Sequence, residues 1–236
     1  MKNLLLKLKR DPLGFVGRAF HKLFIAPIKY RGRSGYDAGR YWQDRFAKHG
    51  LAMKGVGDEG LSEEENEKMY RKAAQDLLDL CRREGIDLQT ASVLEIGCGN
   101  GFYTRLFAEQ GVQRYVGVDI TDIFFPELGK RHPNYQFIRK DITTDRLDGK
   151  FNLIIMIDVI EHITHRANLR AAFENVKNHL ADGGVFMVAP VAEKGKRSLF
   201  YVRFWSLEDI VSNFAGFDVR EPVSFRYNRI LPIRKI

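Results

Sequence analysis

From residue 92 onward the chain alternates short apolar runs with longer segments of helical period. The runs "SVLEIG", "RYVGVDI", "YQFIRK", "FNLIIMI", "GVFMVAP" and "FDVREPV" read as strands, and helices are predicted near 101–110, 122–131, 164–180 and 206–214. Nearly all-apolar strands alternating with helices belong to a parallel sheet covered on both faces. Upstream the period is helical only. Met69, Ala73, Leu77 and Cys81 recur every four residues, Ser62 and Glu65 form a capping box before them, and Gly85 closes the segment. Nearer the start, Phe15, Ala19 and Leu23, and beside them Val16, Phe20 and Phe24, repeat at the same spacing with Arg18, His21 and Lys22 between them. On a helix starting near Pro12 this makes an apolar face flanked by bases. Such a face serves either a surface or partner, or packing on the chain's own domain. The glycine-rich "RGRSGYDAG" predicts a linker near 31–39. The simplest organisation is a basic amphipathic arm and linker over 1–39, then one α/β domain over 40–236 that opens with a helical cap over 40–90.

Composition narrows the class. With 236 residues, 44% of them hydrophobic, the chain can bury a core. Its two cysteines, Cys81 and Cys98, form no CxxC pair, which speaks against a disulfide framework or structural zinc and for a reducing, cytoplasmic setting. No run of about 18 apolar residues predicts a transmembrane helix. "MKNLLLKLKR" begins like a signal peptide, but Lys7, Lys9 and Arg10 interrupt the apolar run and no small-residue cleavage site follows, so the segment is expected to be retained. Residues 1–33 hold nine bases and one acid, Asp11, which is the whole formal net charge of +8. Charge gathered on an arm suits an anionic membrane surface, whereas nucleic-acid binding calls for a basic surface on the body of the fold.

The stretch "VLEIGCGNGFYT" places Gly97, Gly99 and Gly101 on alternate positions at a strand–helix junction. It is either a tight turn or a loop stripped of side chains so that a ligand can lie against the backbone. A dinucleotide fingerprint would need glycine at 102, where Phe102 stands, and no P-loop lysine follows. Asp119 ends the second strand eighteen residues beyond Gly101, where an acid can accept both hydroxyls of a ribose. Glu95, inside the first strand, would be costly to bury without donors; a ligand ammonium or a ring of backbone N–H groups could satisfy it. Asp141 and Ile142 end the third strand, placed for an adenine amino group and ring face.

In their order, Glu95-x-Gly97-x-Gly99-x-Gly101, the acid at Asp119, "KDI" at 140–142, "FNLIIMIDVIEHI" and "LADGGVFMV" resemble the motifs of class I S-adenosylmethionine-dependent methyltransferases, over about residues 90–224. The resemblance implies a Rossmann-like, doubly wound, seven-stranded sheet, mostly parallel with an antiparallel last strand and helices on both faces; "RYNRILPI" is the candidate edge strand. It implies S-adenosyl-L-methionine as cofactor, with the glycines along its methionine part, Asp119 at the ribose and Asp141 at the adenine. The expected cofactor set is Glu95, Gly97, Cys98, Gly99, Gly101, Asp119, Ile120, Asp141, Ile142 and Asp158.

Methyl transfer from a sulfonium is an in-line displacement that needs positioning and exclusion of water, and an oxygen acceptor usually needs a base as well. "DVIEHITH" supplies candidates in Asp158, Glu161, His162 and His165, of which His162, His165 and Asp158 are the expected catalytic groups. The run also resembles the E-x-x-E-H metal site of ubiquinone-pathway O-methyltransferases, with Asp158 in place of the first glutamate; no metal ligand is assigned. In many family members the "EHI" triplet only orients its loop, which is the competing reading of Glu161. Tyr41, Trp42 and Arg45 precede the sheet and either close the cofactor site or pack in the core. Lys194, Lys196, Arg197 and Arg203, in "VAEKGKRSLFYVRFW", point to an acidic acceptor or to a solvated charge run. The expected activity is methylation, on oxygen, of a small-molecule or lipid-linked acceptor. N-methylation of an amine or phospholipid headgroup, and a non-catalytic cofactor-binding scaffold, are the alternatives.

Overall fold

Alternation of side chains along extended backbone gives each central strand two apolar faces to cover. The computed structural model describes residues 16–17, 19–32 and 35–236. Five parallel strands, β1 (Ser92–Ile96), β2 (Arg114–Asp119), β3 (Gln136–Arg139), β4 (Phe151–Ile157) and β5 (Leu180–Val191), lie in the order β5-β4-β1-β2-β3. Val93, Leu153, Ile155 and Met187 face one layer of helices, α3 (Glu63–Arg83) and α4 (Phe102–Glu109), where they meet Ala73, Leu77 and Phe107. Leu94, Ile154, Met156 and Phe186 face the other layer, built from α6 (Arg166–His179) and α7 (Leu207–Val211) with Trp205 and Phe214. The capping box is formed: Ser62 Oγ accepts from Glu65 N–H at 3.1 Å, and the Glu65 carboxylate accepts from Ser62 N–H at 2.8 Å. At the β3 side of the sheet α5 (Phe125–Arg131) packs beside that strand, with Leu128 against Phe46, Cys98 and Phe124.

After β5 the chain forms a small hairpin, β6 (Lys196–Leu199) with β7 (Val202–Phe204), which the sequence pattern did not disclose. It then returns to the sheet as β8 (Phe217–Val219), β9 (Val223–Phe225) and β10 (Asn228–Lys235). Seven strands follow one path, β8-β10-β5-β4-β1-β2-β3, with β9 paired to β10. The last strand is antiparallel to β5, as the resemblance implies. It is not an edge strand, however. "RYNRILPI" contributes β10 between β5 and β8, and Ile230, Leu231 and Ile233 are fully buried there, on both faces.

Ahead of the sheet stand α1 (Ala38–His49) and α2 (Met53–Val56). The segment expected as a linker is a two-residue antiparallel ladder, Arg31–Gly32 with Gly35–Tyr36, which turns the chain into α1. Of the arm, residues 16–17 and 19–20 are helical, His21–Ile25 form a π-helical turn and Ala26–Lys29 are α-helical. The wider turn has a local cause, since Pro27 has no N–H to donate and its ring would clash with the carbonyl four residues back. The expected helix start near Pro12, Phe15 and Arg18 and the arm's first bases lie outside the described residues. No helix among the described residues is long and apolar enough to cross a membrane.

Candidate active site

A cavity of about 460 Å³ opens at the carboxyl ends of β1, β2 and β4, under α1 and the two-residue ladder. That size suits a cofactor-sized ligand. Glu95, Gly97, Cys98, Gly99, Asp119, Ile120, Asp141, Ile142, Asp158, His162 and His165 all reach its wall; Gly101 does not. Instead Gly101 is the N-cap of α4 with φ +80°.

The glycine loop answers both of its readings. Gly97, Gly99 and Gly101 have φ of +81°, +48° and +80°, a region that strains any other residue. A Cβ on Gly97 would lie 2.1 Å from Val159 Cγ2, and one on Gly101 2.3 Å from Leu128 Cδ2. Turn geometry and packing therefore demand these glycines, and the backbone so shaped is what forms the wall. No side chain caps α4, and Phe102 and Tyr103 of its first turn, where the N–H groups and the positive end of the dipole lie, reach the cavity wall. Such an end favours a carboxylate.

The acids around the loop are held by the protein itself. Asp119 accepts from Gly99 N–H and Thr121 N–H, each at 3.0 Å, and from Thr121 Oγ1 at 3.2 Å, so it ties the loop to β2 while its carboxylate stays at the wall. Burial raises its pKa and those N–H donors oppose the rise. Asp141 accepts from Thr143 N–H at 2.8 Å and Thr143 Oγ1 at 2.7 Å, which leaves buried Ile142 against the cavity as an apolar face. The Glu95 carboxylate accepts from Thr104 Oγ1 at 3.2 Å and from Tyr115 OH. Hydroxyls, not a ring of backbone N–H groups, are thus its donors. Burial pushes its carboxyl up to about 8 despite them. Sequence reasoning missed Tyr103, whose hydroxyl is buried at the wall without a partner. An orphaned hydroxyl, an uncapped helix end and a buried carboxyl that a cation would ionise fit the amino-acid end of S-adenosylmethionine, and Asp119 and Ile142 fit its nucleoside.

At the end of β4 the geometry is strained. Asp158 has φ +59°, and its partner Arg226, on the turn between β9 and β10, is also left-handed at +51°. Arg226 ion-pairs with Asp158 Oδ1, and Tyr70 OH donates to Oδ2 at 3.1 Å. The guanidinium lies 4.9 Å over the Tyr70 ring. Both carboxylate oxygens are therefore engaged. No local signal marks Arg226, because only the interior placement of β10 brings it to β4. Glu161 has an enclosed Oε2 with no hydrogen-bond partner, and burial with the nearby Asp158 charge raises its pKa well above the carboxylate range. Among the described residues no three His, Cys, Asp or Glu side chains converge as a metal ion requires.

His162 and His165 separate. His165 is exposed at the N-cap of α6, beside Gly35. His162 is enclosed: its ring lies parallel to Tyr201, centroids 5.7 Å apart, and edge-on to Trp42 at 4.8 Å. Its Nδ1 is 2.9 Å from the Tyr201 carbonyl, which only accepts, so Nδ1 carries the proton and Nε2 the lone pair. Burial lowers its pKa to about 4, so the ring is neutral at physiological pH. Trp42 and Tyr36 line the cavity, whereas Tyr41 packs behind them, 4.5 Å from the Tyr201 ring. Arg45 stays off the wall; it donates to the carbonyls of Lys54, Gly55 and Gly57 at 3.2, 2.6 and 2.8 Å and staples α1 to α2. Lys194, Lys196, Arg197 and Arg203 do not line the cavity either, and Arg203 stacks over Trp205 at 4.1 Å.

Against known proteins, the sequence profile of a methyltransferase-domain family matches residues 66–218, well over half of the chain. Among curated proteins none matches the sequence. Solved structures share the fold. Magnesium protoporphyrin IX methyltransferase from Synechocystis PCC 6803, with S-adenosylmethionine bound, superposes with a TM-score of 0.66 at 17% identity over 87% of this chain and 100% of its own. An amino-pentose methyltransferase from Micromonospora echinaspora, also cofactor-bound, gives 0.60 at 16% identity over 75% and 98%. The N-methyltransferase NodS from Bradyrhizobium japonicum WM9, complexed with S-adenosylhomocysteine, gives 0.56 at 19% identity over 70% and 86%.

Proposed function

The chain belongs to the class I S-adenosylmethionine-dependent methyltransferases, and from that premise we propose that it methylates an oxygen of a small-molecule or lipid-linked acceptor held beside His162. Bound in the cavity, S-adenosylmethionine supplies an electrophilic methyl group on a sulfonium. Tyr36 and Trp42 present aromatic faces to that cationic region and exclude water from it. Asp119 and the glycine loop hold the nucleoside and methionine parts in register. The observation that carries the oxygen reading is the tautomer of His162: its proton is held by the Tyr201 carbonyl, so Nε2 is the ring's one proton acceptor. Asp158 positions this region through Arg226 and Tyr70 rather than taking a proton. The two free, buried cysteines suit a reducing compartment, and the proposal places the protein in the cytoplasm.

The low basicity of His162 favours a second reading, N-methylation, because a neutral amine needs no strong base. One experiment separates them. His162→Gln keeps a donor for the Tyr201 carbonyl and removes the base; on the oxygen reading it lowers kcat about 10²–10⁴-fold and leaves the affinity for S-adenosylhomocysteine within about twofold. Label transfer from methyl-labelled cofactor is measured on panels of alcohols, phenols and amines. Turnover of amines only, unchanged in the variant, would replace oxygen by nitrogen.

A further inference from the structure

We propose that the arm helix and the β6–β7 hairpin together form a docking surface for an anionic lipid leaflet. The helix is pinned on one side and bare on the other. Ala26 and Tyr30 are buried, Tyr30 OH donates to Asp44 at 3.0 Å, and the ion pairs Lys22–Glu59 and Lys29–Asp44 close at 2.7 Å each. On the outer side Val16, Phe20, Leu23, Phe24 and Ile28 are 56–79% exposed, and Phe20 and Phe24 sit ring against ring at 5.0 Å. Their spacing is that of one helix face. The body of the fold therefore holds these side chains outward; they are not a free tail that could fold back. A contiguous apolar ridge of this kind marks a contact surface.

What chemistry covers it follows from the charges carried by the same body. Tyr30 stacks on Phe200 in the β6–β7 turn, 6.3 Å apart and within 3° of parallel, so helix and hairpin form one body. On that hairpin and the loop before it, Lys194, Lys196 and Arg197 are exposed, and no ion pair among the described residues engages them; Glu193 is the one acid in residues 193–197. In sequence, residues 1–33 carry nine bases against one acid, and of these Lys22 and Lys29 are taken up by the ion pairs to Glu59 and Asp44. An apolar ridge on a body that also carries unpaired cations matches acyl chains below anionic headgroups better than it matches a second copy of the chain, which would bring like charge to like. The hairpin also backs the cavity, since its Tyr201 stacks on the cavity-lining His162. Delivery of a lipid-carried acceptor beside the site is a consequence that rests on the methyl-transfer reading; the docking itself does not.

The test uses the full chain without cofactor. It is expected to sediment with phosphatidylcholine vesicles that contain phosphatidylglycerol, not with phosphatidylcholine alone, and to be released by salt. Two triple variants, Phe20→Ser/Phe24→Ser/Ile28→Ser and Lys194→Glu/Lys196→Glu/Arg197→Glu, are each expected to cut the vesicle-bound fraction about tenfold or more. Melting temperature and S-adenosylhomocysteine affinity, measured in parallel, should stay unchanged, so a failure of the cofactor reading shows separately. A chain that stays in the supernatant at low salt, or binding that survives both variants, overturns the proposal. So does a dimer that the serine variant dissociates while vesicles are ignored, which would make the ridge an interface between copies.

Discussion

Glu95 is the residue whose chemistry departs furthest from its sequence expectation. Its carboxyl is raised from an ordinary 4.5 to about 8, chiefly by burial. A group raised in this way adds stability that is full below the ordinary value and is lost as pH climbs through about 8. A ligand ammonium at the wall reverses the preference, because it favours the ionised form. Binding of S-adenosylhomocysteine below that pKa should then release a proton, and its affinity should rise by up to about tenfold per pH unit toward pH 8. Calorimetry in buffers of different ionisation enthalpy reads that proton, and Glu95→Gln should flatten the profile. A pH-independent affinity in the parent chain would place the ammonium elsewhere. The sequence announced Glu95 as a problem of buried charge, but not its solution. Thr104 and Tyr115 come from α4 and β2, and nothing in their local pattern says that their hydroxyls converge.

Elements were more legible than the partners they bring together. The capping box of α3 and the strand–helix alternation are properties of local sequence, and the structure contains both; of the arm's apolar face, Val16, Phe20, Leu23 and Phe24 are exposed on helical turns among the described residues. The role of β10 is not local. Its apolar residues read equally well for an edge strand or an interior one, and only pairing on both sides decides. That pairing carries Arg226 to Asp158 and so ties the β9–β10 turn to β4 and, through Tyr70, to α3. Arg226→Ala should leave a largely buried carboxylate unpaired and destabilise the chain by about 3 kcal/mol. Arg226→Gly loses the same pair but relieves the positive φ, and should recover about 1 kcal/mol of that loss. Urea midpoints for the two variants check the difference; equal midpoints would mean that the turn stores no strain.

For the whole molecule, the cavity predicts a ligand response that no single element shows. S-adenosylhomocysteine at a hundredfold excess over its Kd should stabilise the folded chain by about 2.7 kcal/mol and raise its Tm, while NAD should do neither. A thermal-shift series with both ligands is sufficient, and a response to NAD alone would overturn the assignment of the cavity. The sequence by itself determined the class of the fold, the position of the glycine loop and the acids at the strand ends, because burial period and backbone conformation are encoded over a few neighbouring residues. It also foretold both apolar faces of the sheet. Tertiary structure decided the rest: that Tyr41 and Arg45 support the site while Trp42 lines it, that His162 is enclosed and His165 exposed, and that Arg226 holds Asp158. Each of these depends on contacts between residues far apart in the chain, where burial, charge and hydrogen-bond supply are set by whatever the fold happens to bring alongside, and no local pattern records that.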